Sequence, residues 1–154
     1  MPGIVFSLNL SQTKGVPKHP VPHICLKMGL GAQGDAHFGS GLRQVSLLAW
    51  EDICRQQACA RAKKRGARFM PGDFAENITT LGIDLSGINI GDRIIIGEKA
   101  VLRVSQIGKE CHNYCHIYKT LGNCIMPKRG IFARVLRGGM IRPDDKILLQ
   151  EKSA

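Results

Sequence analysis

A chain of 154 residues, 44% apolar and 22% charged, has enough hydrophobic matter for one domain with its own core and too much for a disordered tail. No apolar run approaches bilayer length, and Ile4 to Phe6 meets Asn9 and Ser11 too soon for a secretory leader, so a single domain over 1–154 with a cytoplasmic address and no membrane contact is expected. The 22 Lys and Arg against 12 Asp and Glu give a net charge of +10, which favours anionic partners without choosing among nucleotides, phosphorylated cofactors and nucleic acid.

Ile4, Phe6, Leu8 and Leu10 alternate with Val5, Ser7 and Asn9, the period-two pattern of a strand with one face inward. Ser11 to His23 holds three prolines and predicts an exposed loop whose charges suit a flexible rim, followed by a short strand over Cys25 to Met28. Gly29 to Gly41 places five glycines around Asp35 and His37, a density that marks tight turns and close backbone approach. Arg43 to Val45 reads as a further strand. Leu47, Trp50, Ile53, Cys54 and Ala58 then recur at helical spacing as far as Gly66, predicting one main amphipathic helix with Ser46 as its N-cap. The basic run Arg61 to Arg68 reads as the solvated end of that helix, since few aromatics are interleaved for base stacking, and nucleic acid is not the expected partner. Cys54 and Cys59 point in different directions on the helix and are expected to pack.

From residue 70 the pattern is β again. Phe74 to Thr80, Arg93 to Ile96, Ala100 to Ile107, Ile131 to Leu136 and Lys146 to Gln150 are short branched runs, with Gly97-Glu98-Lys99 as a hairpin turn. Six to eight short strands with one main helix predict a mainly β fold, a closed or nearly closed barrel with helical decoration, because closure removes exposed sheet edges.

Three clusters could carry chemistry. Asp35 and His37 lie two residues apart between glycines, where they could polarise a ligand, orient a base or bind metal, or form an Asx-type turn with a surface histidine. In Pro71 to Asn77 a turn leads into a strand and presents Glu76 and Asn77, a pair that commonly serves a hydrogen-bonded turn. The third cluster is Cys111, Cys115 and Cys124 with His112 and His116. In a reducing compartment these are free thiols, ligands or catalytic groups rather than disulfides. Lys109 and His112 beside Cys111 favour its thiolate, a form that ligates metal or carries sulfur. A tetrahedral zinc site is the weaker alternative, because the spacing lacks the C-x2-C knuckle.

Four pieces in order, Gly29 to Leu48 with its Gly-x-x-Gly-Asp35-Ala36-His37-x-Gly loop, Gly72 to Thr80, Gln106 to Cys111, and Gly130 to Leu136, resemble the MOSC family, named after the C-terminal domain of molybdenum cofactor sulfurases. The resemblance implies a barrel-like β fold and one essential cysteine, matched here by Cys111, that carries sulfur as a persulfide or coordinates the molybdenum of a pterin cofactor. It further implies that Asn77 lines a pocket with Asp35, His37, Arg43 and Glu76, and that Arg43, Lys109 and Arg134 meet the cofactor phosphate. Proteins of molybdenum cofactor biosynthesis or sulfur donors are the partners it suggests. Where the family has a late Gly-Asp turn, this chain has Asp144-Asp145. Two other readings stand beside it: a zinc- or redox-regulated basic module for nucleic acid, and reduction of N-hydroxylated bases with partner proteins supplying electrons.

Overall fold

The computed structural model describes residues 3–39, 41–58, 68–108 and 130–151. Cys111, Lys109, the other residues of the third cluster and most of the basic run 61–68 lie outside them. The strands are β1 (Gly3–Leu10), β2 (His19–Val21), β3 (Ile24–Lys27), β4 (Gly31–Ala32), β5 (Val45–Ala49), β6 (Ile78–Leu81), β7 (Arg93–Ile96), β8 (Ala100–Ile107), β9 (Ile131–Arg137), β10 (Gly139–Ile141) and β11 (Lys146–Gln150), with helix α1 (Trp50–Ala58) between β5 and β6.

Seven of these strands form a closed barrel in the order β11-β7-β8-β9-β5-β6-β1, and β1 pairs back onto β11 through Gly3↔Ile147 and Ile4↔Lys146. An antiparallel partner reverses direction at every step, so a ring of seven strands cannot be antiparallel throughout. The mismatch is absorbed at β5 and β6, which pair in parallel with α1 in the connection between them. Inward positions of the ring, among them Val5, Val45, Leu47, Ile78, Ile94, Leu102, Val104 and Ala133, make one apolar core. A second sheet, β10-β3-β4, adds Ile24, Leu26, Ala32 and Ile141 to the same core.

The mainly β barrel is as expected, and β1, β7, β8, β9, β11 and the 97–99 turn fall where the alternation placed them. The helix is the chief correction. Residues 45–49 are buried throughout and pair with β9 on one side and β6 on the other, so the apolar residues at its expected start form a central strand. Ser46 is therefore a mid-strand residue, and the helix begins at Trp50, with Glu51 and Asp52 in its first turn. Cys54, expected to pack, is exposed. Phe74 to Asn77 forms a turn and an irregular lead-in, leaving β6 to start at Ile78, and β2 forms inside the proline-bearing loop as a short edge strand on β1. At the substituted turn Asp144 adopts φ 74°, the left-handed conformation that glycine takes most easily and aspartate tolerates.

Candidate functional site

The loop after β4 is held by its glycines: Gly31 has φ 119°, and a Cβ there would lie 2.8 Å from the Gln44 carbonyl oxygen. This close approach lays Asp35 beside the end of β1. Asp35 Oδ1 accepts from Lys18 Nζ at 2.8 Å and Ser11 N at 3.2 Å, while Oδ2 accepts from His37 N at 3.1 Å and lies 3.5 Å from His37 Nδ1. The Lys18 and Asp35 side chains are 1% and 0% exposed. Burial alone pushes the Asp35 carboxyl up, but the hydrogen bonds from His37 and Lys18 together outweigh it and hold the group well below the usual carboxylate range. Lys18 is thus no rim charge but the buried counter-ion of Asp35. Sequence carried no signal for it, since a lysine among prolines reads as solvated. His37 is partly exposed, and with Nδ1 on the Asp35 side its Nε2 lies on the far side of the ring from the carboxylate.

Lys18 also links this loop to the second cluster. Its N–H donates to Gly72 O at 2.8 Å, and a Cβ on Gly72, which has φ 92°, would meet the Lys18 carbonyl oxygen at 2.2 Å. Glu76 Oε2 accepts from Gly72 N at 3.0 Å and from Thr79 Oγ1 at 2.7 Å. Asn9 Nδ2 donates to Thr79 Oγ1 and to Glu76 O, both at 3.1 Å. Asn77 Nδ2 donates to Asn9 O at 3.1 Å, and its Oδ1 accepts from Ser46 N at 3.1 Å and Ser46 Oγ at 3.2 Å. Both ends of the Asn77 amide therefore tie β5 to β1, at the point where the barrel changes from antiparallel to parallel pairing. Glu76 is fully buried and its Oε1 has no hydrogen-bond partner among the described residues. Burial pushes its carboxyl above the usual range, opposed by the bonds from Gly72 and Thr79.

Ser46 connects this network through the sheet to Gln106, where Ser46 pairs with Phe132 on β9 and Phe132 with Gln106 on β8. Arg43 lies over that row: Nε donates to Gln106 Oε1 at 3.2 Å, and the guanidinium carbon is 5.6 Å from the Phe132 ring centroid. Its two terminal nitrogens donate to no described residue. Gln106 Nε2 donates to Gly108 O at 2.8 Å, and Gly108 N to Gly130 O at 2.7 Å, so the two residues flanking 109–129 are clamped together beside Arg43.

Of the residues singled out from sequence, the fold brings Asp35, His37, Glu76 and Asn77 into one hydrogen-bonded system with Lys18 and sets Arg43 across the sheet from it. Arg134 is exposed on β9 opposite Arg103, apart from that system. Cys111 and Lys109 lie outside the described residues, as does the three-cysteine zinc alternative. Among the described residues no group of three or more His, Cys, Asp or Glu is placed to hold a metal ion. Asn9, Ser46, Thr79 and Gln106 were missed; each is a polar residue within an otherwise apolar strand pattern, a weak signal that only a partner on another strand explains.

A small closed barrel with one parallel crossing and a polar band at that crossing defines a class of β-barrel domain. The chain belongs to the MOSC domain family, whose model matches residues 33–148. That family is associated with molybdenum cofactor proteins. The fold is similar to the YuaD protein from Bacillus subtilis, with a TM-score of 0.78 at 21% identity over 99% of this chain and 98% of that one. It is also similar to YiiM from Geobacillus stearothermophilus, with a TM-score of 0.70 at 23% identity over 97% of this chain and 76% of that one. YiiM from Escherichia coli gives 0.72 at 20% identity over 100% and 72%. No curated protein matches the sequence. No described helix is long and apolar enough to cross a membrane.

Proposed function

We propose that this chain is a molybdenum-cofactor-associated domain that holds a molybdenum–pterin group, or a sulfur atom destined for metal–sulfur chemistry, at Cys111. The observation that carries the reading is the clamp of Gly108 to Gly130 beside Arg43. Cys111 is the third residue after Gly108 in the sequence.

The described residues fit an anionic cofactor in one respect. Arg43 is fixed by Gln106 and Phe132 while its terminal nitrogens remain without a described partner, which suits a phosphate. When bound, a molybdenum–pterin group supplies a thiophilic, redox-active metal, and a thiolate is the protein ligand suited to it. Arg43 would anchor phosphate, Cys111 would supply the sulfur, and His37, oriented by Asp35, would hold or release a proton at Nε2. Asn77 and Glu76 act one step back, fixing the strands and turn on which those side chains stand.

The test is to assay molybdenum, pterin and sulfane sulfur in gently purified wild-type, Cys111→Ser and Arg43→Ala proteins. Wild type is expected to retain one of these, Cys111→Ser to lose it, and Arg43→Ala to lose pterin in preference to sulfane sulfur. Equal contents in wild type and Cys111→Ser would sink the reading.

A further inference from the structure

The outer face of the barrel over β7, β8 and β9 carries a row of arginines. Arg93 stands opposite Arg103, and Arg103 opposite Arg134, in unbroken register. All three are exposed, while the alternate residues Ile94, Leu102, Val104, Ala133 and Val135 fill the core. At the usual strand spacing the first and last α-carbons of the row are about 10 Å apart. Like charges directly opposite one another oppose sheet formation. None of the three forms an ion pair with a described carboxylate.

The neighbouring row on the same face is Leu148, Ile95 and Val101, ending at Arg137. Leu148 is 49% exposed, and Ile95 and Val101 are partly so. Outward positions alternate along β9, so Phe132 beneath Arg43 lies on this face two residues from Arg134, about 7 Å along the strand. The cationic surface therefore runs from Arg93 to Arg43, next to the Gly108–Gly130 clamp.

We propose that this face docks an acidic segment of a partner protein, with carboxylates on the arginine row and aliphatic side chains on Leu148, Ile95 and Val101. The guanidinium fork matches a carboxylate, and a cation row beside an aliphatic row matches a strand-like stretch of alternating acidic and apolar residues. Nucleic acid fits less well: the described residues of the two rows include no aromatic platform for bases, and a phosphate backbone has no use for the aliphatic row. A lipid surface fits less well because Ile95 and Val101 are too recessed to enter an acyl layer. The proposal does not depend on what Cys111 holds.

The experiment is fluorescence anisotropy with a labelled 12-residue peptide of alternating Glu and Leu, a duplex DNA and phosphatidylserine vesicles as probes. Wild type is compared with Arg103→Glu/Arg134→Glu, and with Lys14→Glu/Lys27→Glu, which makes the same charge change at exposed positions elsewhere. Peptide binding that falls at least about tenfold in the arginine variant, and changes less than about twofold in the lysine variant, supports the face as drawn. Cys111→Ser should bind as wild type does, which separates this proposal from the cofactor reading. An equal fall in both variants, undiminished binding by the arginine variant, or wild-type binding to DNA or vesicles without binding to peptide, would overturn it. Arg103→Gln/Arg134→Gln is the second variant, expected to fall in the same direction should charge reversal impair folding.

Discussion

Around Asn9 almost every polar atom has a partner within the chain, whereas the arginines of the outer row have none among the described residues. The first region sits where β5 meets β6 in parallel, and there Asn77, Ser46, Thr79 and Asn9 supply bonds that hold the ring in register. The second sits over an ordinary antiparallel stretch whose stability comes from the core beneath it, which leaves its side chains available for a partner. Buried polarity here is architecture, and exposed polarity is left for solvent or a partner.

Five single substitutions and one double variant would break or sharpen that contrast. Asp35→Asn should have the largest effect, about 3–5 kcal/mol in chemical denaturation, because it leaves the buried Lys18 ammonium without its counter-charge. Asp35→Asn/Lys18→Met should recover much of that loss. Because the folded Asp35 carboxyl titrates below its unfolded value near 3.9, its stabilising effect is complete above that value and disappears as acid carries the pH through the folded one. Wild type and the double variant should therefore converge on acidification. A constant gap down to pH 2 would show that the pair contributes nothing through charge.

Gly72→Ala should cost about 3 kcal/mol, combining a left-handed backbone with a Cβ driven into the Lys18 carbonyl; an unchanged melting curve would mean that the 70–77 turn moves freely. Asn77→Ala should cost about 2 kcal/mol, since Ser46 N and Asn9 O lose partners in a dry interior. Its sinking result is a stability loss no larger than that of an exposed alanine substitution.

Glu76→Gln is subtler. The folded carboxyl is raised, so it binds its proton better folded than unfolded; the stabilising effect is complete below its unfolded value near 4.3 and is lost as pH rises through the folded value. Glutamine does not titrate, so its stability relative to wild type should improve from pH 4 to pH 8, and parallel profiles would refute the assignment. Arg103→Gln should have the smallest effect, a slight rise in thermal midpoint at low salt that vanishes in 1 M salt as like-charge repulsion is screened.

The strands that alternate cleanly, such as Ile4 to Leu10 and Ala100 to Ile107, were legible because a sheet with one wet face writes a period of two. β5 was not: flanked by β9 and β6 and covered on both faces, Val45 to Ala49 reads as a plain apolar run, which merges with the helix that follows. The candidate site was legible in part. Asp35, His37, Glu76 and Asn77 stood out beside glycines in turns, whereas Lys18, Asn9 and Gln106 acquire meaning from residues 17 to 70 positions away along the chain.

Composition and periodicity alone determined a β-rich domain with one main helix, an excess of cationic surface and a thiol set among positive charges, since each follows from local pattern and count. Only the tertiary structure decided that Lys18 is buried, that Asn77 joins strands, and that Arg93, Arg103 and Arg134 stand in one line. Those outcomes depend on which strands become neighbours, and neighbour choice is set by closing the ring around a shared core rather than by any segment of the chain taken alone.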